Sequence, residues 1–200
     1  MTKKIVAITG SYRRGGITAQ AVAEVAAAAR SAGAEVEIVD LLDRHIEFCT
    51  NCRACTQAPG PARGACPLKD DMAGILDLLD AADGYIFASP VNYFNITALM
   101  RRFLERTAVY AYWPWGAGGP KPRTKKLVKK AVLITSTAMP ELLGRFFTGA
   151  LRALNHAAAG AGARKSGTLF IGLSSIVQKP VLTGRERQKA RALGLMLAAD

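Results

Sequence analysis

The sequence predicts a doubly wound α/β fold in which five parallel strands, in the order 2-1-3-4-5, are covered by helices on both faces. Short apolar runs alternate with amphipathic segments along the whole chain, which is the pattern of repeated βα units. The runs are continuously apolar rather than alternating, as expected of strands that are buried on both faces. Because half of the 200 residues are hydrophobic, we expect one well-buried domain over residues 1–200.

Each predicted element follows from a local pattern. The predicted strands cover residues 4–8, 36–39, 85–88, 131–134 and 168–171. The predicted helices cover residues 17–32, 72–79, 96–104, 142–154 and the segment from about 183 onward. Gly33 ends the first helix, and Asp70-Asp71 offers an N-cap for the second. The alternation therefore places the loops that follow the strands at one edge of the sheet, where such folds bind ligands.

The loop after the first strand combines glycines, hydroxyls and guanidinium groups, and it leads into a helix. Its sequence is Gly10-Ser11-Tyr12-Arg13-Arg14-Gly15-Gly16-Ile17-Thr18. Backbone N–H groups at a helix N-terminus bind phosphate, and Arg13 can add a charge-assisted contact. The loop has neither the G-x-x-x-x-G-K-[ST] nor the G-x-G-x-x-G pattern. It therefore predicts a phosphate site of another kind, the alternative being an ordinary glycine-rich turn.

The loop after the third strand places apolar and aromatic side chains beside amides at the same edge. Its sequence is Ser89-Pro90-Val91-Asn92-Tyr93-Phe94-Asn95. Such residues can bound a planar ring and satisfy its polar rim, although Asn95 could instead cap the next helix. Thr135-Ser136-Thr137 follows the fourth strand and offers a further contact. Together the two loops predict a phosphorylated planar cofactor.

These two loops resemble those of NADPH-dependent FMN reductases and iron–sulfur flavoproteins. The first is similar to their G-S-x-R-x-x-G-N-T flavin phosphate loop, and the second to their S-P-x-Y-x-x isoalloxazine loop. Two departures stand out, because Tyr12 lies where proline is common and Ile17 where asparagine is common. The second departure removes an amide that usually helps to bind phosphate.

The resemblance implies a flavodoxin-like fold, FMN, NAD(P)H as co-substrate, and electron transfer to a quinone, a flavin, a redox protein or another acceptor. It also implies a homodimer or homotetramer. The phosphate would lie on Ser11, Arg13 and Thr18, with Gly16 and Ile17 in the same loop. The ring would lie against Pro90, Val91, Asn92, Tyr93, Phe94 and Asn95. Because the flavin carries the chemistry, no catalytic side chain is expected, and we interpret His45 and His156 as surface or structural residues.

All four cysteines occur in one loop at about 45–69, after the second strand. They are Cys49, Cys52 and Cys55, and then Cys66 after a gap of ten residues. Three alternatives are open: a [4Fe–4S] cluster that relays electrons from FMN, a structural zinc ion, or free and redox-labile thiols. The segment as far as Asp70-Asp71-Met72 resembles the cysteine pattern of iron–sulfur flavoproteins, in which the last gap is usually shorter.

The formal net charge is +12 at pH 7, so nucleic acid is a partner to consider. The main basic run, at 121–130, predicts a solvated surface loop instead, because no helix interleaves basic and aromatic residues. A Trp-, Pro- and Gly-rich loop at about 112–126 predicts a lid or a subunit contact. No apolar run approaches the ~18 residues of a membrane span, and no secretory signal is evident, so we expect a cytoplasmic protein without a membrane partner.

Two functions from other classes fit the same pattern. One is a non-catalytic, flavodoxin-like electron carrier, which would share the cofactor loops but lack turnover of NADPH. The other is a metal-stabilised module that binds nucleic acid or regulates a partner, for which the cysteine loop and the positive charge would be the main features.

Overall fold

The structure, a computed structural model, describes residues 2–124 and 126–199. Its main sheet contains five parallel strands in the order β2-β1-β3-β4-β5, which confirms the predicted fold class and strand order. In chain order these strands are β1 (Lys4–Thr9), β2 (Glu35–Asp40), β3 (Gly84–Ala88), β4 (Lys129–Ser136) and β5 (Ala163–Ile171). Two short antiparallel hairpins lie outside this sheet, Val91–Asn92 with Asn95–Ile96 and Ala111–Tyr112 with Lys121–Pro122.

Helices cover the sheet on both faces. They are α1 (Ile17–Ser31), α2 (Met72–Ala81), α3 (Ala98–Arg106), α4 (Glu141–Phe147), α5 (Ala150–Gly160) and α6 (Gly184–Ala198). Side chains of α2, α3 and α5 pack with Val6 and Ile8 of β1 in one apolar cluster, whereas α1 and α6 pack with Ile5 and Ala7 in the other. Successive side chains of β1 thus point to opposite faces of the sheet and contribute to both apolar cores. None of the helices in the described part of the chain is long and apolar enough to cross a membrane.

The helix predicted over 142–154 is in fact two helices, α4 and α5. The break falls at Thr148 and Gly149, where the Gly149 N–H donates to the Phe94 carbonyl at 2.9 Å. Leu154 is buried on the sheet, but Phe146 is 77% exposed. The apolar spacing that suggested one buried face therefore spans two helices with different surroundings.

A buried ion pair anchors the start of α2 to the end of α3. Asp70 accepts from both terminal nitrogens of Arg106, at 2.5 and 3.1 Å, and both side chains are almost fully buried. Asp70 also accepts from the Met72 N–H at 3.0 Å, so it provides part of the predicted cap. Burial alone raises the pKa of Asp70, but hydrogen bonds from Arg106 and from backbone N–H groups outweigh it and lower the pKa. The stabilisation is therefore present above about pH 4 and is lost as the pH falls below that value.

Two lysines at the end of the basic run 121–130 form hydrogen bonds with neighbouring elements, whereas the sequence predicts a solvated loop. Lys129 donates to the carbonyls of Leu79 and Asp80, both at 3.0 Å, and to the Tyr85 hydroxyl at 2.9 Å. Burial lowers the pKa of Lys129. Lys130 donates to the Ala199 carbonyl at 2.9 Å. The prediction of a solvated loop is therefore wrong for these lysines, because the backbone carbonyls at the ends of α2 and α6 bind them; Lys125 lies outside the described residues.

Replacing Asp70 with asparagine should lower the free energy of unfolding by about 3–5 kcal/mol, because the buried Arg106 guanidinium would lose its counter-charge. Asp77 provides the matched control, since it pairs with Arg63 but its side chain is 70% exposed. Asp77→Asn should cost less than about 1 kcal/mol. Urea unfolding at neutral pH measures both variants, and equal losses would contradict the assigned role of the buried pair.

Candidate functional site

A cavity of ≈ 280 Å³ lies at the carboxyl edge of the sheet. Four loops form it, those that follow β1, β3, β4 and β5, and the boundary between β1 and β3 is where the direction of strand addition reverses. Eight of the predicted cofactor residues line this cavity: Ser11, Arg13, Gly16, Ile17, Thr18, Pro90, Val91 and Asn92. The structure therefore brings the loops after the first and third strands to one cavity.

The N-terminus of α1 forms one end of the cavity. Gly16 precedes the helix, and no side chain caps its first turn. A Cβ at Gly16 would lie 3.0 Å from the Cβ of Arg13 and 3.2 Å from its carbonyl, so the tight turn favours glycine. Ser11 fixes the turn from the other side, accepting from the Arg13 N–H at 3.1 Å. The helix therefore directs the N–H groups of its first turn at the cavity, as anion sites do.

Charge at this end of the cavity is positive. No carboxylate from the described part of the chain lines it. The Arg13 guanidinium makes no ion pair or side-chain hydrogen bond within residues 2–124 and 126–199, whereas the neighbouring Arg14 is neutralised by Asp43. The Thr18 hydroxyl lies 2.9 Å from that of Ser136, so the two buried side chains join α1 to the end of β4. The arrangement suits a dianionic group such as a phosphate monoester.

The hairpin after β3 rises beside the cavity. Tyr93 and Phe94 form its two-residue tip, with φ of 48° and 64°, a left-handed conformation that bulky residues rarely adopt. Tyr93 is 98% exposed and Phe94 56% exposed, and neither these two nor Asn95 lines the cavity. The cap of α3 is Thr97 rather than Asn95, because the Thr97 hydroxyl accepts from the Met100 N–H. Backbone strain of this kind often accompanies a functional role.

Sequence reasoning missed one wall of the cavity. Ser174, Ser175 and Pro180, in the loop after β5, line it beside Ser136 and Thr137, two residues of the contact predicted at the end of β4. The Ser174 hydroxyl donates to the Thr137 carbonyl at 3.0 Å, which joins the two loops. The available signal was the position of a serine pair just beyond the fifth strand, at the edge where ligands bind.

Arg123 holds the cysteine loop in shape. Its guanidinium donates to the carbonyls of Cys55 at 3.1 Å, Ala58 at 2.9 Å and Gly60 at 3.1 Å, and its Nε to that of Val109 at 3.0 Å. The carbonyls of an irregular loop would otherwise lose their hydrogen bonds with water on burial. Arg123 therefore supplies hydrogen bonds to the carbonyls of this loop in place of water.

Arg53 joins the cysteine loop to the Trp-rich segment. Its guanidinium lies 3.8 Å from the ring centroid of Trp113 and 4.1 Å from that of Trp115, and it donates to the Trp113 carbonyl at 2.6 Å. Two cation–π contacts in one place make this a specific attachment. Trp113, Trp115 and Arg123 of this segment thus contact the cysteine loop, and none of its described residues lines the cavity.

The four predicted metal ligands lie near one another without converging. Cys52 is exposed, and Cys49, Cys55 and Cys66 are half-buried. Burial raises the pKa of the Cys55 thiol, and the thiols of Cys66, Cys49 and Cys52 raise it further. Within the part of the chain that the structure describes, however, no three Cys, His, Asp or Glu side chains are placed to hold a metal ion. The described arrangement therefore does not fit a metal centre unless the loop repacks.

The fold is that of a flavodoxin-like protein, and its cavity lies at the carboxyl edge of the sheet, beside the N-terminus of the first helix. Residues 3–174 match the family model described as NADPH-dependent FMN reductase. The chain belongs to that family.

The curated proteins similar to this chain are iron-sulfur flavoproteins. The chain is 35% identical over 111 residues to an iron-sulfur flavoprotein of Archaeoglobus fulgidus, a match that covers 56% of this chain and 48% of the relative. It is 33% identical over 104 residues to one of Methanocaldococcus jannaschii, covering 52% and 51%. The chain spans about half the length of the curated relatives that it matches.

Solved structures show the same fold at lower identity. An NAD(P)H:quinone oxidoreductase from Methanothermobacter marburgensis superposes with a TM-score of 0.70 at 17% identity, covering 100% of this chain and 99% of that one. An FMN-dependent NADH-azoreductase from Bacillus anthracis gives 0.69 at 11%, covering 98% of each chain. A flavodoxin from the domain Archaea gives 0.56 at 14%, covering 98% and 96%. These likenesses confirm the flavodoxin-like architecture.

Gly64→Ala should lower the free energy of unfolding by about 2 kcal/mol or more. A Cβ at Gly64 would lie 1.7 Å from the Cys55 carbonyl oxygen, so the backbone of the cysteine loop would have to move. Gly118→Ala is the control, because a Cβ there meets nothing within 4 Å, and it should change stability by less than about 0.5 kcal/mol. Thermal unfolding of the two variants checks the prediction, and an unchanged Gly64→Ala would show that the two loop segments do not cross this closely.

Proposed function

We propose that the chain binds FMN in the cavity at the carboxyl edge and acts as an NAD(P)H-dependent oxidoreductase. The observation that carries the proposal is the cavity itself. It combines the uncapped α1 N-terminus and Arg13, whose guanidinium has no partner among the described residues, with the apolar side chains of Pro90 and Val91. A phosphate monoester joined to a flat, largely apolar ring system matches these two features.

The chain's own residues would bind and orient the cofactor. Arg13 and the first-turn N–H groups of α1 would hold the phosphate, with Ser11 and Thr18 adding hydroxyls. Ile17 is only 7% exposed and packs in the core beneath the loop, so it shapes the cavity while leaving phosphate binding to its neighbours. The substitution of asparagine by isoleucine at this position thus shifts the phosphate site toward backbone groups and Arg13.

The ring would lie between the loops after β3 and β4. Pro90, Val91 and Asn92 would contact one side, and the exposed aromatic side chains of Tyr93 and Phe94 could cover an outer edge. When bound, FMN supplies the hydride and electron transfer chemistry, and the protein positions it and excludes water. No acid–base side chain is required, in keeping with the exposed position of His45, which lies 2.8 Å from Glu47.

An electron carrier without turnover is the second candidate, because one of the similar folds is a flavodoxin. Steady-state oxidation of NADPH with a quinone or a dye as acceptor separates the two. Sustained turnover supports the enzyme, whereas reduction of one flavin equivalent without turnover supports the carrier. Turnover with NADH and with several acceptor classes would then define the co-substrate and the acceptor.

We propose that two copies of the chain associate through an apolar rim beside the cavity. This rim consists of exposed side chains from the hairpin tip, from α4 and from the loop after β5: Tyr93, Phe94, Leu142, Phe146, Phe147 and Ile176. The three segments are neighbours, since the Gly149 N–H donates to the Phe94 carbonyl and the Leu173 N–H to the Met139 carbonyl. Contiguous exposed apolar surface of this kind is typical of an interface.

A cluster on Cys49, Cys52, Cys55 and Cys66 is a separate candidate, which the similarity to iron-sulfur flavoproteins favours. It requires the cysteine loop to repack, and no step of the proposed reaction depends on it. Iron, sulfide and zinc analysis of anaerobically purified protein distinguishes the alternatives. A [4Fe–4S] centre would give about four iron atoms per chain, structural zinc would give about one metal ion, and free thiols would give neither.

Arg13→Ala should weaken FMN binding by about 1.5–3 kcal/mol, the range for a hydrogen bond to a charged group. Arg14→Ala is the matched control, because Arg14 is the next residue but pairs with Asp43 outside the cavity. It should change the affinity by less than about twofold. Quenching of flavin fluorescence during titration of the apoprotein measures both, and equal effects would show that the phosphate lies elsewhere.

Phe146→Glu should shift the protein toward single chains, because a carboxylate would be buried in the apolar rim without a partner. Val128→Glu is the control: Val128 is 75% exposed but lies before β4, at the amino edge of the sheet. Sedimentation equilibrium should give more than one chain per particle for the wild type and for Val128→Glu. Single chains throughout would contradict the proposed association.

A further inference from the structure

A second cavity of ≈ 360 Å³ adjoins the first at the α1 N-terminus. Arg13, Gly16 and Pro180 line both cavities, so the two meet at the end where the phosphate would lie. The second cavity is lined on one side by the segment 178–181, which precedes α6. Its volume is comparable with that of small-molecule sites, which begin at about 300 Å³.

Gln20 fixes the wall of this second cavity. Its amide nitrogen donates to the carbonyls of Gly15 at 3.1 Å and Pro180 at 2.9 Å, and its amide oxygen accepts from the Leu182 N–H at 3.3 Å. One side chain of α1 thus ties the phosphate loop to the segment before α6. These hydrogen bonds fix the position of the wall, so the shape of the cavity is determined by the fold.

The second cavity is also positively charged. Among the residues that the structure describes, Arg13 and Lys179 are the two ionisable side chains that line it, and no carboxylate does. Within the described residues, Lys179 has neither an ion pair nor a hydrogen bond to its ammonium group. Gln178 adds an amide and Val181 an apolar surface at the same cavity. This combination can bind a second phosphate together with a heterocycle that needs hydrogen bonds along one edge.

We propose that the second cavity binds the adenosine monophosphate half of a flavin dinucleotide, so that the protein accepts FAD as well as FMN. The inference rests on the proposed function, because the flavin half must occupy the first cavity. The two cavities are continuous where the phosphate would lie, and this connection favours FAD as the ligand. FAD extends FMN at its phosphate. The nicotinamide of NAD(P)H, by contrast, must approach the ring at the opposite end. Arg13 would lie between the two phosphates, and Lys179 would contact the outer one.

Titration of the apoprotein with FMN and with FAD tests the proposal. FAD should bind the wild type no more weakly than FMN. Lys179→Gln should weaken FAD binding about fivefold or more while changing FMN binding less than about twofold, because only FAD carries the outer phosphate. Lys165→Gln is the control, since Lys165 is exposed near the start of β5 and lines neither cavity. Free AMP should compete with FAD more strongly than with FMN.

The outcomes separate this inference from the proposed function. Binding of FMN with exclusion of FAD, or equal effects of Lys179→Gln on both flavins, overturns the second cavity as an adenylate site and leaves the FMN proposal standing. A Lys179→Gln variant that raises the KM for NADPH but not for NADH, with FAD affinity unchanged, assigns the cavity to the pyridine nucleotide and also overturns the inference. Binding of neither flavin overturns both proposals.

Discussion

The close approach of the first βα loop to its neighbour is the constraint on which the rest of the site depends. Thr9 of β1 aligns with Ala88 of β3, and the Gly10 N–H donates to the Ala88 carbonyl at 2.9 Å. The Thr97 hydroxyl, which caps α3, donates to the Gly10 carbonyl at 2.6 Å. A Cβ at Gly10 would lie 2.8 Å from that of Met100, so only glycine lets the phosphate loop and α3 meet. The contact joins segments that are far apart in the chain, since Gly10 and Thr97 are separated by 87 positions.

Electrostatics then determines which ligand the cavity suits. The protein neutralises many of its arginines internally, through carboxylates such as Asp70 or through carbonyls, as Arg123 does. Arg13 lies at the uncapped end of α1 and has no such partner among the described residues, so its charge is available to a ligand. An anion there gains from the guanidinium and from the helix dipole together. This division separates the cations that hold the fold together from Arg13, which lines the cavity.

The sequence predicted the parts of the fold that depend on local pattern. The five strands, their order and eight residues of the cavity followed from apolar runs and from the rule that ligands bind at the carboxyl edge. It did not predict the break between α4 and α5, because that break depends on a contact of Gly149 with Phe94. Nor did it predict the Arg53 contact with two indole rings or the wall formed after β5. In each case the determining partner is distant in sequence, and no local spacing encodes it.

The cysteine loop packs against the edge of this domain, where Cys55 and Cys66 contact the apolar core. Hydrogen bonds from Arg123 and the stacking of Arg53 on two tryptophans add further attachments. The proposed FMN site uses none of the four thiols. The most direct test of FMN binding in the cavity is the flavin content of protein that has been incubated with excess FMN and separated from free flavin by gel filtration. We expect a flavin absorbance corresponding to about one FMN per chain; protein that emerges without flavin absorbance would contradict the proposed binding.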